Sequence, residues 1–265
     1  MGMTKIYFAT PLTPAGIRCF TSHPDTRCNV LVSFAFKDKV DTYIDHIPNA
    51  RLMLDSGAYT AWSCGKEVSL PALIAYAKAR KWDEVVALDV IGDAEASKRN
   101  AITMKEAGLN VMPVYHIGDP IDDLHFYKAN FSKVGLSCRF GEPLKQSLAF
   151  IERSFAAAWP YKFHSFGWIS EKVLRHFPFH SADASTWVNP HRFGAVKPSG
   201  DLLSSGLRGR SFKLKMTQST NADLWLIIER YLALERSLEQ QWRREMKLLN
   251  SPSTSGSKSV ASQTN

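Results

Sequence analysis

Short runs of β-branched and apolar residues alternate with longer segments of helical periodicity along most of this chain. Strand-like runs fall at Lys5–Thr10, Val30–Phe36, Arg51–Asp55, Glu84–Val90, Asn110–His116, Lys133–Cys138, Lys162–Gly167 and Phe179–Asp183. Apolar residues spaced three and four apart predict helices at Thr42–Ile47, Leu70–Lys81, Ala94–Ala107, Ile121–Asn130, Leu144–Ala158 and Glu171–His176. Strands alternating with helices imply a parallel sheet with right-handed crossovers. Runs such as VVALDV and VMPVYH are apolar on both faces, as strands covered by helices must be. Eight such runs predict a closed (β/α)8 TIM-type barrel. An open doubly wound sheet is the alternative, but no Gly-rich phosphate loop follows the first strand; a Pro-containing connection does.

The alternation stops after Trp187. Residues 189–220 are rich in Gly, Ser and basic side chains and lack periodicity. A long helix is predicted at 221–249, with Leu224, Ile227, Ile228, Tyr231, Leu234 and Leu238 on one stripe and Thr220 or Asn221 as its cap. The reading divides the chain into a barrel at 1–188, the basic segment at 189–220, a helix packed on the barrel at 221–249, and a low-complexity, disordered tail at 250–265.

Composition narrows the partners. The net charge of +8 fits a polyanion. Cys19, Cys28, Cys64 and Cys138 show no CxxC spacing, which argues against a zinc ribbon or disulfide framework and fits a reducing cytoplasm, where they serve as small apolar side chains. No apolar run is long enough to span a bilayer, and MGMTKIYFATPLTPAG lacks the layout of a secretory signal.

Candidate chemistry lies where barrel strands end. Asp55 closes RLMLD before a Ser-Gly-Ala-Tyr turn, Asp89 sits in VVALDVIGD, and Asp183 ends FHSAD. Singly, each has a plain structural use: Asp55 could bond the N–H groups of its turn. Asp93 reads as the cap of the next helix. Three carboxylates at equivalent strand ends point further, because substitution at an anomeric carbon needs one carboxylate to attack and another to move a proton, and a third can read a base edge.

The motifs resemble the tRNA-guanine transglycosylase superfamily. LDSGAY is similar to its DSGGF motif, VALDV to the strand carrying its base-recognising aspartate, VGLSCRFGE to its GGLAVGE-type turn, HSFGWIS to its GxG-type turn, and HSADASTW to its nucleophile strand, all in the family's order. The resemblance implies Asp183 as nucleophile and Asp55 as general acid/base. It also implies Ser56 and Gly57 against the base, Tyr59 stacking on it, Asp89 accepting from guanine N1–H and the exocyclic amine, Gly135 and Leu136 offering backbone groups, and Gly167 keeping the pocket open. His116, in PVYHIGD, falls near the family's base-reading glutamine, or bonds locally at its strand end.

The family's CxCxxC zinc site has no counterpart here, so neither metal nor cofactor is expected. In its place stand Arg192, Lys197, Arg208, Arg210, Lys213 and Lys215. This compact pattern resembles the DNA-acting, DpdA-like branch, which exchanges guanine in DNA for a 7-deazaguanine such as preQ0. Basic residues in a Gly/Ser-rich loop follow phosphates without reading sequence. The target guanine must be flipped or single-stranded, with Trp62 and Trp187 as stacking candidates or core residues. The expected partners are DNA and a free 7-deazaguanine base. Competing readings are a tRNA substrate, a non-catalytic nucleic-acid-binding barrel, and a metal-dependent barrel hydrolase.

Overall fold

The computed structural model describes residues 4–9, 14–138, 142–167, 170–185, 187 and 221–249. Nine strands run parallel among the described residues: β1 (Lys5–Ala9), β2 (Asn29–Ser33), β3 (Arg51–Asp55), β4 (Glu84–Val86), β5 (Val111–Met112), β6 (Val114–His116), β7 (Lys133–Ser137), β8 (Lys162–Ser165) and β9 (Ser181–Ala184). Their spatial order is β5-β4-β3-β2-β1-β9-β8-β7-β6. The two ends of that order are one stretch of chain divided by Pro113, which has no N–H to give a ladder. Val111 and Met112 pair with β4, and Val114 to His116 pair with β7. The ring therefore closes through Pro113, as the (β/α)8 expectation requires.

Helices fill the crossovers: α1 (Pro14–Thr21), α2 (Lys37–Val40), α3 (Ala58–Ser63), α4 (Leu70–Lys78), α5 (Ala94–Glu106), α6 (Ile121–Asn130), α7 (Leu144–Ala158) and α8 (Glu171–His176). The caps are legible in sequence. Ser69 accepts from the Ala72 N–H and Asp93 from the Ala96 N–H, which satisfies donors the first turn leaves open. On α7, Phe150, Ile151, Ser154, Phe155 and Ala158 are buried at helical spacing.

Several boundaries differ from the sequence expectation. The connection after β1 contains α1, whose Cys19 and Phe20 are buried although Gly16 interrupts a short helix. The predicted helix at Thr42–Ile47 is instead α2 followed by a 3-10 turn at Ile44–His46. The second strand stops at Ser33, where Phe34–Phe36 turns. The fourth stops at Val86, leaving Asp89 in the segment that follows it.

The long helix, α9 (Asn221–Leu249), lies against α1, α8 and β1, where the helix following the last strand of such a barrel belongs. Its predicted stripe is the buried one. Glu235 reaches beneath the strands: its Oε2 accepts from the Ile6 N–H at 2.7 Å and from Asn29 Nδ2 at 3.1 Å. Burial raises its pKa. Glu235→Ala would strand both donors and is expected to cost about 1–3 kcal/mol in urea unfolding, whereas Glu235→Gln keeps an acceptor and should cost less. The tail at 250–265 and the Thr220 cap lie outside the described residues.

Candidate active site

Successive side chains of a strand alternate between helices and barrel lumen. Ile6 and Phe8 of β1 join the helix-facing core, while Tyr7 and Ala9 join an inner cluster with Leu31, Met53, Val86, Met112 and Val114, against which Phe166 packs. That inner cluster is the floor. Continuing the same period upward, Met53 is followed by Asp55 and Ser181 by Asp183, so both carboxylates stand at the C-terminal mouth.

The three aspartates meet there. Burial pushes the Asp55 carboxyl up to about 6, and the charges of Asp183 and Asp89 add to the rise. The Ser33 hydroxyl, opposite Asp55 in the β2–β3 register, and the Gly57 N–H, 3.0 Å from Asp55 Oδ2, favour the ionised form. Asp55 thus does bond its turn, and it also feels both other carboxylates. Gly57 is demanded by the site: its φ is 76°, and a Cβ would lie 2.7 Å from the Ala35 backbone nitrogen.

Asp183 is buried, with Oδ1 accepting from the Gly167 N–H at 2.9 Å. His164 Nε2 faces the same oxygen at 3.5 Å. Burial holds the His164 pKa below its ordinary value, so Asp183 faces an uncharged ring rather than an ion-pair partner.

Asp89 and His116 form a second arm. His116 Nε2 lies 3.4 Å from Asp89 Oδ2, and its Nδ1 lies 3.6 Å from Asp119 Oδ2. Burial opposes charge on the ring, but hydrogen bonds and charge from Asp119 and Asp89 outweigh it and push His116 up to about 10. An imidazolium therefore sits beside Asp89, and burial raises the Asp89 carboxyl against that neighbour's pull.

Of the other sequence-predicted residues, Ser56 is buried in the turn after β3, where its Oγ is 3.5 Å from the Ala58 N–H. Gly135 lies under Phe166: a Cβ there would come within 2.2 Å of the ring, so only glycine lets the aromatic floor seat. The Gly135 N–H donates to the Pro113 carbonyl, and the Leu136 carbonyl accepts from the Phe166 N–H. Tyr59 is 57% exposed on α3 and pairs with Trp62, which is equally exposed. Trp62 is thus a surface ring, whereas Trp187 is buried and donates to the Ala9 carbonyl. Cys19 and Cys28 are buried, and Cys64 is exposed. Arg192, Lys197, Arg208, Arg210, Lys213 and Lys215 lie outside the described residues.

Sequence reasoning passed over Ser33, Asp119, His164 and Phe166. The signal for Phe166 and His164 was available: both share β8's inward phase, one and three residues before the predicted Gly167.

No protein-family model matches the chain, and neither does any curated protein. Among solved structures, two mutant forms of the tryptophan synthase alpha-subunit from Pyrococcus furiosus align with a TM-score of 0.53 at 9% and 10% identity. Each covers 88% of this chain and 98% of its own. At that identity the likeness concerns the fold. Among the described residues, no helix is long and apolar enough to cross a membrane. The chain is a TIM barrel whose fold is shared with the tryptophan synthase alpha-subunit.

Proposed function

We propose that this barrel is an enzyme that exchanges a purine-type base at C1′, acting on guanine in DNA and inserting a 7-deazaguanine. One observation carries the reading: three carboxylates, from the ends of β3 and β9 and from the segment after β4, couple at one mouth. In the proposed cycle Asp183 attacks C1′, the C1′–N bond breaks, and its electron pair leaves with guanine. Asp55 supplies the proton that guanine takes. An incoming base then gives its N–H proton back to Asp55 and attacks C1′, and the Asp183–C1′ ester breaks to restore the carboxylate. A carboxyl poised near 6 suits this give-and-take. Asp89, with His116 beside it, offers an acceptor to the guanine N1–H and amine edge.

Exposed Tyr59 and Trp62 beside the mouth suit stacking of neighbouring bases, and the net charge of +8 suits a phosphate backbone. The motif order set out above supports the transglycosylase class, and the absent zinc motif and basic segment favour DNA over tRNA. The test is mass spectrometry of nucleosides from single-stranded DNA, duplex DNA and tRNA, each incubated with the protein and a free 7-deazaguanine. A modified deoxynucleoside is expected. Modification of tRNA alone would transfer the substrate, and no exchange in any arm would remove the reading.

A further inference from the structure

A polar chain runs through the barrel from its closed end to the candidate nucleophile. Lys133 and Glu84 form a buried ion pair across the lumen. Lys133 Nζ also lies 3.0 Å from Ser181 Oγ, and Ser181 Oγ lies 2.8 Å from His164 Nδ1. His164 is wholly buried, and its Nε2 makes no hydrogen bond among the described residues; the polar atom it faces is Asp183 Oδ1, at 3.5 Å.

Donor and acceptor inventory favours one arrangement of the protons. The Lys133 ammonium, paired with Glu84, donates to Ser181 Oγ. A His164 Nδ1–H would leave the Ser181 hydroxyl hydrogen facing two donors, so the favourable arrangement sends that hydrogen to His164 Nδ1. A ring that accepts at Nδ1 carries its proton on Nε2. The other end agrees: an Nε2 lone pair would meet a carboxylate oxygen, whereas an N–H meets it favourably. A doubly protonated ring is opposed by burial and by Lys133, although Asp183 and Glu84 pull the other way.

We propose that His164 is the positioning residue of Asp183: the Glu84–Lys133–Ser181 chain keeps its proton on Nε2, and that N–H, together with the Gly167 N–H, pins Oδ1 so that Oδ2 is the oxygen that bonds C1′. The proposal rests on the base-exchange reading for its chemistry but not for its wiring. When the Oδ2–C1′ bond breaks and its electron pair returns to the carboxylate, the same two N–H groups receive the charge. No oxidant or further reactant is needed.

Two measurements test it. Side-chain ¹⁵N NMR of the full-length protein, with His164 assigned by its loss in His164→Gln, should show an Nε2–H ring that does not titrate between about pH 6 and 8. Ser181→Ala should release the ring to the other tautomer. An Nδ1–H ring, or titration near the ordinary histidine value, overturns the wiring whether or not exchange occurs. In exchange kinetics, His164→Leu should lower kcat by about 10–100-fold with little change in KM for the free base, and His164→Gln, which returns an N–H, should recover most of the loss. A folded His164→Leu protein with the unaltered kcat overturns the positioning role. Failure of the unaltered protein to exchange any base overturns the base-exchange reading instead, and leaves the tautomer to be decided by NMR.

Discussion

Asp183→Asn should abolish base exchange, by roughly 1,000-fold or more, while leaving the barrel folded. The amide retains an oxygen for the Gly167 N–H, which now donates to Asp183 Oδ1 at 2.9 Å, and it nearly preserves side-chain volume. What it loses is the anionic oxygen that must bond C1′. Asp183→Ala should lose activity to the same extent and stability as well, because the Gly167 N–H and the buried His164 ring would face a gap. Circular dichroism and thermal melting separate the two variants. Exchange by folded Asp183→Asn at the unaltered rate would remove Asp183 as nucleophile.

Asp55→Asn should also suppress exchange, by about 100-fold or more, because no group would remain to carry the proton between departing and arriving bases. Its effect on stability should have the opposite sign. Burial first, then Asp183 and Asp89, raises Asp55 from an unfolded value near 3.8 to about 6. Because the folded value is the higher one, this group favours the folded state fully below about pH 4, and that contribution is lost as pH rises through 6. At pH 8 its buried charge then costs on the order of 2–3 kcal/mol relative to pH 4. The neutral amide avoids that cost, so Asp55→Asn should melt higher than the unaltered protein at pH 8, with the gain shrinking toward pH 4. Melting curves at the two pH values check this; a gain that grows toward acid would contradict the raised carboxyl. For the unaltered enzyme, activity should fall above pH 6 as the protonated form required for guanine departure is depleted.

Much of this site follows from periodicity alone. The alternation of apolar runs and helical segments gives the barrel, and the strand-end rule singles out Asp55, Asp89 and Asp183 before any geometry is known. The hidden parts have identifiable causes. Helix α1 is short and holds Gly16, so its packing against α9 defines it more than local propensity does. Closure of the ring depends on Pro113, a residue that by itself argues against a strand. The Glu84–Lys133–Ser181–His164 chain joins β4, β7, β9 and β8, and sequence distance conceals that adjacency. One clue was still present: Ser181 lies two residues before Asp183, and Lys133 two before Gly135, so each shares the lumen phase of a residue already singled out. Charged and polar residues at that phase, near the starts of otherwise apolar strands, had to find partners inside the barrel. His116 shows the remaining difficulty. Its place at a strand end was plain, but its charge depends on Asp89 and Asp119 flanking the ring.

The most direct test of covalent catalysis by Asp183 is a trapped adduct. The protein is incubated with a guanine-containing single-stranded oligonucleotide without free base, denatured, and digested for peptide mapping by mass spectrometry. The expected result is an oligonucleotide lacking guanine, esterified to the peptide containing Asp183, discharged by prior addition of a 7-deazaguanine and missing from Asp183→Asn. An adduct on Asp55, or none from a preparation that exchanges base, would contradict it.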